Sequence, residues 1–227
     1  MGTIEAENPA QPTTAVVAQS KRIVALRILS TAAALAIWFW TQSLIGARPL
    51  PAAGIGDWTH AATSSINQYL LTHAGAANAL LIVSSALIDL MAIFMLGRWI
   101  VQGEPRPFVG LVIVLGLRQV MQACIALPVP PNAIWHNPGF PSLLVTYGVG
   151  NDYFFSGHTA IAVLAGRELV RLGKKWLLVL AISIVVFEMG TVLVLRAHYA
   201  MDVFTGLITG LYAAHLADWI AAKASST

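Results

Sequence analysis

Residues 176–203 read WLLVLAISIVVFEMGTVLVLRAHYAMDV, an apolar run that ends in a histidine with an aspartate four residues later. An apolar run of ~20 residues is the length of a membrane-spanning helix. A carboxylate at i+4 on a helix lies over the histidine and orients one ring nitrogen while the other does chemistry. A second block, Ser156-Gly157-His158-Thr159, also places a histidine beside an apolar segment. Together the two blocks indicate phosphoryl chemistry on a lipid, whereas either alone fits equally a histidine that caps a helix at the membrane surface.

The composition indicates a membrane protein. Of 227 residues, 57% are hydrophobic and only 10% are charged, and the mean hydropathy is +0.73. A soluble domain carries about a quarter charged residues. Cys124 is the only cysteine, so an intrachain disulfide is excluded. The net charge of +3 is small, and no nucleic acid partner is expected.

The hydropathy pattern predicts an all-α membrane protein, a bundle of six transmembrane helices. The predicted spans lie at about 23–45, 77–97, 108–127, 156–172, 176–196 and 200–221. Residues 1–22 are predicted to be a disordered tail, residues 23–221 the membrane domain, and residues 222–227 a C-terminal tail. The first apolar run is too long for a cleavable signal peptide and is interpreted as a signal anchor.

The distribution of positive charge predicts the orientation. In the six-span arrangement Arg118 falls inside a span, and Arg48 and Arg196 fall on one side. Ten positive residues fall on the other side: Lys21, Arg22, Arg27, Arg98, Arg106, Arg167, Arg171, Lys174, Lys175 and Lys223. An excess of positive charge marks the cytoplasmic face. Both termini are therefore expected to be cytoplasmic. Both histidine blocks are expected on the non-cytoplasmic face, at the plasma membrane or the lumenal side of an internal membrane.

The residue types in the two blocks suit phosphoryl transfer. Ser156 is a predicted N-cap, and His158 then lies in the first turn of a helix, where backbone N–H groups favour a phosphate. His198, oriented by Asp202, has the arrangement of a nucleophile or proton carrier. The same three side chains are an alternative set of metal ligands. The sequence has no HExxH motif, cysteine pair or carboxylate cluster, so we expect neither a metal nor a cofactor.

The two blocks resemble those of the type-2 phosphatidic acid phosphatase superfamily, in particular its sphingomyelin synthase branch, whose blocks read roughly GDYxxSGHT and HYxxDV. The counterparts here are Asn151-Asp152-Tyr153-Phe154-Phe155 before SGHT, and His198-Tyr199-Ala200-Met201-Asp202-Val203. A third block of that branch, an arginine ten residues ahead of Leu-Pro-x-Pro, is matched by Arg118 and Leu127-Pro128-Val129-Pro130. The similarity covers roughly residues 108–216.

This resemblance implies metal-free transfer of a phospho-head group from a glycerophospholipid to a lipid alcohol such as ceramide. It implies that His198 is the nucleophile, forming a phosphohistidine intermediate, that Asp202 orients it, and that His158 is the acid/base. The implied substrate-binding residues are Arg118, Asp152, Tyr153, Ser156, Gly157 and Tyr199. The expected partners are membrane phospholipids, lipid alcohols and the bilayer, and the sequence leaves a homodimer open. Asn151 stands where the family usually has Cys or Gly, and shorter cytoplasmic extensions than in family synthases are expected, so the resemblance implies the reaction type more specifically than the head group or acceptor.

Two other functions compete with this interpretation. A lipid phosphate phosphatase would use water as acceptor and a Lys-x6-Arg-Pro block beside its histidines. Arg98 and Arg106-Pro107 resemble that block, but their spacing is one residue too long and the predicted topology puts them on the opposite face. The third function, a non-catalytic lipid-binding or transport protein, is disfavoured by the intact histidines and Asp202.

Several other polar residues receive structural interpretations. Asp89, Arg118 and Glu188 lie at similar predicted depth inside spans, where a charge costs at least ~2.5 kcal/mol. An Arg118–Glu188 ion pair is therefore predicted, either to fix helix packing or to form a polar floor for the lipid cavity. Arg196 is interpreted as a phosphate ligand or an interface anchor, and His60 as a solvated loop residue. A further feature, the Gly206-xxx-Gly210 pair, predicts close helix packing.

Overall fold

The structure, a computed structural model, describes residues 54–145, 147 and 153–224, together with Arg22, Ala25 and Leu29. Most of the predicted first span, almost all of the N-terminal tail, and Asp152 lie outside the described residues. In the described part of the chain there are seven helices and no strand. They are α1 (Trp58–Ala62), α2 (Ser64–Thr72), α3 (Ala74–Gln102), α4 (Pro105–Cys124), α5 (Gly157–Val170), α6 (Lys175–Val194) and α7 (Ala200–Ala224).

Four of these helices are long and apolar enough to cross a membrane: α3, α4, α6 and α7. They match the predicted second, third, fifth and sixth spans within a few residues at most ends. A helix of 20 residues is about 30 Å long, the thickness of the hydrocarbon core. The chain is therefore a multi-pass membrane protein, while the six-span count and the orientation of the termini stay predictions.

The predicted fourth span is a shorter helix than expected. α5 has 14 residues, of which 12 are buried, and it packs against α3, α4, α6 and α7. At 1.5 Å per residue it is about 21 Å long, which is short of a bilayer core. α5 is the central helix of the bundle, enclosed by the longer helices, and its first turn carries the SGHT block.

Glycines let α7 approach this central helix closely. A Cβ on Gly206 would lie 2.6 Å from the carbonyl oxygen of Ser156, and one on Gly210 would lie 2.7 Å from that of Ala160. Both distances are shorter than any real Cβ contact, so a larger residue would push the helices apart. The Gly206-xxx-Gly210 pair thus serves helix packing within the chain, as the sequence predicted.

The ends of the bundle differ in character. The two histidine blocks lie at one end, beside the connection from α4 to α5 and the turn from α6 to α7. The opposite end carries ion pairs: Arg98 to Glu168 at 3.1 Å, Arg171 to Glu168 at 3.1 Å, and Arg106 to Glu104 at 2.8 Å. Arg98 and Arg106 therefore hold helix ends together far from the histidines, and they are not a phosphatase block beside them.

Candidate active site

A cavity of about 40 Å³ at the histidine end of the bundle brings most of the predicted site residues together. Its polar wall is made by Arg118, Tyr153, Gly157, His158 and His198, and its apolar wall includes Ile88, Leu115, Trp135 and Ile161. A cavity needs roughly 10–15 Å³ to hold one water molecule, so this volume holds only a few. A lipid head group must therefore widen it on entry.

His198 lies in the turn before α7, with its Nδ1 3.6 Å from Asp202 Oδ2. This turn was predicted between the last two spans; α7 begins at Ala200, and only Asp202 lies in its first turn. The same carboxylate oxygen accepts a hydrogen bond from the Tyr199 backbone N–H at 2.9 Å. Since Nδ1 faces Asp202, Nε2 is the nitrogen left for chemistry. The 3.6 Å gap is longer than a hydrogen bond, but such contacts tighten when substrate binds.

His158 lies in the first turn of α5, as predicted. Ser156 caps this helix, because its hydroxyl accepts hydrogen bonds from Thr159 N at 3.4 Å and Thr159 Oγ1 at 3.1 Å. The imidazole of His158 meets the Trp135 ring edge-to-face, with centroids 5.4 Å apart. Its Nε2 is buried and has no hydrogen-bond partner among the described residues. A buried nitrogen without a partner is costly unless a ligand supplies one, so this nitrogen is available to a substrate.

Arg118 reaches from α4 to the start of α5. Its Nε donates a hydrogen bond to the Phe155 carbonyl at 3.2 Å, and a Cβ on Gly157 would lie 3.0 Å from the same nitrogen. Glycine at position 157 therefore gives the guanidinium room to lie against the helix N-terminus. A guanidinium beside free backbone N–H groups is a favourable setting for phosphate oxygens.

The predicted Arg118–Glu188 ion pair is not formed. Among the described residues Glu188 has one hydrogen-bond partner, the hydroxyl of Ser84, at 2.6 Å. The other membrane carboxylate, Asp89, accepts hydrogen bonds from the backbone N–H groups of Leu143 at 2.8 Å and Leu144 at 3.1 Å. The sequence predicts that Asp89, Arg118 and Glu188 lie at a similar depth in the membrane. In the structure, each of the three side chains contacts a different set of neighbours.

Tyr199 was predicted to bind substrate, but it is not among the residues that line the cavity. Its hydroxyl donates a hydrogen bond to the Pro128 carbonyl at 3.1 Å, and its ring stacks on His60 with centroids 5.3 Å apart. Tyr199 therefore fixes the turn that carries His198. Asp152, the remaining predicted substrate ligand, lies outside the described residues.

Two residues that sequence reasoning missed hold the His198 turn in place. Asp57 Oδ1 accepts a hydrogen bond from Thr59 N at 2.8 Å, which caps α1, and Oδ2 accepts one from Ala200 N at 2.6 Å, where α7 begins. His60 was expected to be solvated, but it is buried, and its Nε2 lies 2.9 Å from the His198 carbonyl oxygen. An aspartate directly before the first residue of a helix is a local N-cap signal. Nothing in the sequence pattern connects Asp57 to Ala200.

Arg196 completes this support from the other side of the turn. Its guanidinium donates hydrogen bonds to the Pro131 carbonyl at 2.9 Å and to the His60 carbonyl at 3.1 Å. It is buried and has a φ of +52°, a left-handed conformation that is uncommon outside glycine. Because two of its nitrogens donate hydrogen bonds to backbone carbonyls, Arg196 stabilises the turn. It is neither the phosphate ligand nor the interface anchor that the sequence analysis considered.

The charge on Asp57 is stabilised where it lies. Burial acts to raise the pKa of its carboxyl, but hydrogen bonds from Thr59 and Ala200, with His60 nearby, outweigh burial. The pKa is consequently below its ordinary value of 3.8. Asp57 is therefore ionised at neutral pH, and the hydrogen bonds it accepts are charge-assisted.

Across the described ranges, no group of three His, Cys, Asp or Glu side chains is arranged to hold a metal ion. Taken together, the fold and the cavity define a multi-pass, helical membrane protein with two histidines at a small buried cavity. The sequence model of the AtPDCT1/2 family matches residues 56–219, which include α1 to α6 and most of α7, and the chain belongs to this family.

One curated relative adds detail. Phosphatidylcholine:diacylglycerol cholinephosphotransferase 1 of Arabidopsis thaliana is 23% identical over 172 residues, which cover 76% of this chain and 54% of that protein. The chain thus spans about half the length of the curated relative it matches. No solved structure matches the chain. These matches fit the predicted resemblance to lipid phosphotransferases, but the sphingomyelin synthase branch is not confirmed.

Proposed function

We propose that this protein is an integral-membrane lipid phosphotransferase that moves a phospho-head group from a glycerophospholipid to a lipid alcohol. The observation that carries the proposal is the cavity itself, where His158, His198 and Arg118 converge at the N-terminus of a buried helix. Membership of the AtPDCT1/2 family supports it, as does the similarity to a cholinephosphotransferase.

In the proposed first step, His198 Nε2 attacks phosphorus and the bond from phosphorus to the glycerol oxygen breaks. His158 donates a proton to that oxygen, so diacylglycerol leaves and a phosphohistidine remains. The Asp202 carboxylate beside Nδ1 stabilises the positive charge that develops on the imidazole. Arg118 and the N–H groups at the start of α5 hold the non-bridging oxygens.

In the second step, His158 takes the proton from the hydroxyl of an incoming lipid alcohol. The alcohol oxygen attacks phosphorus, the nitrogen–phosphorus bond breaks, and His198 is restored. His198 thus attacks phosphorus in the first step and is the leaving group in the second, while His158 gives one proton to the departing diacylglycerol and takes one from the incoming alcohol. All atoms and charges balance without a metal or cofactor.

This proposal has two versions, which differ in the lipid alcohol that accepts the head group. The blocks that resemble sphingomyelin synthases favour ceramide, while the name of the curated relative favours diacylglycerol. The AtPDCT1/2 family match covers residues 56–219, whereas the resemblance to sphingomyelin synthases covers roughly residues 108–216. We therefore propose diacylglycerol as the first acceptor to test, with ceramide as the alternative. With water as acceptor and a lipid phosphate as donor, the protein would be a phosphatase.

The test is an assay of head-group transfer by the purified full chain in proteoliposomes. Phosphatidylcholine labelled in its head group is mixed with unlabelled diacylglycerol of distinct chain length, with ceramide, or with neither, and the lipids are separated by mass. Label in new phosphatidylcholine supports the first version, and label in sphingomyelin supports the second. Label released as water-soluble phosphate or phosphocholine without acceptor would contradict a transferase.

We also propose that the site faces the non-cytoplasmic side, within a membrane domain that extends from residue 23 to residue 221. The positive residues described at the end of the bundle away from the cavity support this orientation; they include Arg98, Arg106, Arg167, Arg171, Lys174, Lys175 and Lys223. Donor and acceptor lipids would then enter from the outer or lumenal leaflet.

A further inference from the structure

An apolar groove lies between α6 and α7 on the outside of the described bundle. Both helices pack closely against α5 but contact each other little, so α5 forms the floor of an open channel of about 290 Å³. None of the described residues lines both this channel and the catalytic cavity. We call it the interhelical groove, and its walls include Val163 and Val170 on α5, Leu178 and Ile182 on α6, and Leu207 and Leu211 on α7.

The interhelical groove is narrow and elongated. Two small residues, Gly166 and Ala181, lie where α5 and α6 meet, and a Cβ on Gly166 would lie 3.4 Å from that of Ala181. From Val163 to Val170 the floor extends about 10 Å along α5, at 1.5 Å per residue. A channel of this shape suits a hydrocarbon chain, and acyl chains are the apolar molecules that surround a helix in a bilayer.

Arg167 is the one charged side chain among the described residues that line the groove. It is exposed and lies one turn before α5 ends at Val170. Two neighbouring arginines, Arg98 and Arg171, each form an ion pair with Glu168 at 3.1 Å. The Arg167 side chain, in contrast, makes no hydrogen bond or ion pair within the described part of the chain. A guanidinium without a carboxylate partner is available to bind a phosphate.

Arg167 lies near the level of the lipid head groups. Trp176, in the first turn of α6, is exposed, and tryptophans are enriched at the interface between membrane and water. An arginine side chain extends its charge toward that interface while its stem covers apolar surface. Lys174 and Lys175 precede Leu178 by one turn and add positive charge at the same end of the groove. Basic sites between membrane helices favour anionic lipid head groups.

The predicted first span, 23–45, competes with a lipid for this groove, and most of it lies outside the described residues. The sequence at its start carries Lys21, Arg22 and Arg27, and the predicted topology puts that start at the same end of the bundle as Arg167. Like charges would then face each other, whereas a phosphate group compensates the charge of Arg167. Charge complementarity therefore favours an anionic lipid over the first span.

We propose that the interhelical groove holds an acyl chain of an anionic phospholipid, whose phosphate is bound by Arg167. Because Arg167 lies at the end of the bundle away from the histidines, this lipid belongs to the leaflet opposite the catalytic cavity. It is therefore neither donor nor acceptor, and the inference does not depend on the proposed function. The lipid fills the space between the two helices that meet at the His198 turn, and a ligand that binds only the folded state stabilises it.

The first test measures lipid binding to the full chain in a nonionic detergent by native mass spectrometry, which requires no lipid transfer. Phosphatidylglycerol and phosphatidylcholine with identical acyl chains are added in equal amounts. Wild type should retain phosphatidylglycerol in excess. Arg167→Gln should weaken phosphatidylglycerol binding about tenfold and leave phosphatidylcholine binding within about twofold. The control, Lys223→Gln, removes one charge at the same end of the bundle but outside the groove, and it should bind both lipids as wild type does.

A second pair of variants tests whether the acyl chain lies in the groove. Ile182→Trp places a bulky ring in the groove, whereas Leu180→Trp places the same ring on an exposed part of α6 outside it. Ile182→Trp should weaken phosphatidylglycerol binding at least as much as Arg167→Gln does, and Leu180→Trp should leave it unchanged. Thermal unfolding without added lipid shows that each variant is folded. Added phosphatidylglycerol should then raise the Tm of wild type and of the two controls, but not that of Arg167→Gln or Ile182→Trp.

Three results would overturn the proposal. Equal losses in Arg167→Gln and Lys223→Gln would indicate a general effect of surface charge. Wild-type binding by Ile182→Trp would show that the chain lies elsewhere, as expected if the first span fills the groove. The third is a wild-type protein without preference for phosphatidylglycerol. Failure of lipid transfer with phosphatidylglycerol binding intact would count against the proposed function alone.

Discussion

Replacing Asp57 by asparagine should disable the site without any change to a residue that lines the catalytic cavity. Asparagine keeps one carbonyl oxygen, which suffices to cap α1 through Thr59, but an NH₂ group takes the place of the oxygen that accepts from Ala200 N at 2.6 Å. Two donors then face each other where α7 begins, two residues after His198. Loss of a helix cap costs about 0.5–2 kcal/mol.

That loss corresponds to a fall in Tm of about 1–8 °C for a protein of this size. The effect on catalysis should be larger, because a shift of roughly 1 Å in a catalytic group can reduce the rate about 100-fold. Transfer rates and thermal unfolding are measured side by side in detergent. We expect Asp57→Asn to lower kcat at least tenfold while most of the protein stays folded at 25 °C.

The matched control is Thr59→Val. It removes the Thr59 hydroxyl that donates to Asp57 Oδ1 at 2.6 Å but leaves the bond to Ala200 in place. This variant should lose some stability and keep its rate within about twofold. The reasoning fails if Thr59→Val and Asp57→Asn lose activity equally, since the contact with α7 would then have no special importance for the His198 turn.

The pH dependence of stability, compared between wild type and Asp57→Asn, provides a second check on Asp57. Its folded-state pKa is below the ordinary value of 3.8, so the ionised carboxylate stabilises the fold above pH 3.8. That contribution is lost as the pH falls through the lowered value. The stability difference between wild type and Asp57→Asn should be constant from pH 6 to 8 and should narrow only below pH 3.8; a difference that disappears near neutrality would contradict an ionised Asp57.

Three further predictions concern packing, metals and topology. Gly206→Ala would place a Cβ 2.6 Å from the Ser156 carbonyl, so it should cost about 1–3 kcal/mol of stability and reduce transfer, and unchanged unfolding would refute the close helix contact. EDTA should leave the transfer rate unchanged, and a loss restored by one divalent ion would require a metal mechanism. In a Cys124→Ala background, an impermeant thiol reagent outside should label Asn137→Cys but not Lys174→Cys, and the reverse pattern would put the site in the cytoplasmic leaflet.

Much of the bundle could be predicted because its signals are local. Apolar runs of membrane length located α3, α4, α6 and α7, and the serine before Gly157 located the start of α5. The bounds of α5 agree within two residues with the predicted span at 156–172, but the sequence could not show that its apolar composition reflects burial among helices rather than contact with lipid. Twelve of its 14 residues are buried, and an enclosed helix need not match the bilayer thickness.

In the candidate site, too, short sequence motifs predicted some features, whereas contacts between residues far apart in the chain could not be predicted. The residue types of the two blocks, and the predicted topology that puts both on one face, indicated that His158 and His198 act together, and both line one cavity. The i+4 rule placed Asp202 near His198 but assumed a helix that begins two residues later. The hydrogen bond between Asp57 and Ala200 joins residues 143 positions apart, and no periodicity or spacing signals such a contact.

The central claim is that His198 carries the phosphoryl group, and the most direct measurement is to isolate the covalent intermediate. Wild-type protein is incubated with phosphatidylcholine labelled at phosphorus, without acceptor, then quenched at alkaline pH and digested for mass spectrometry. The account predicts an acid-labile phospho-head group on His198 that disappears when a lipid alcohol is added, and no label on His198→Ala. Label on another residue, or transfer by His198→Ala at a rate near that of wild type, would contradict it.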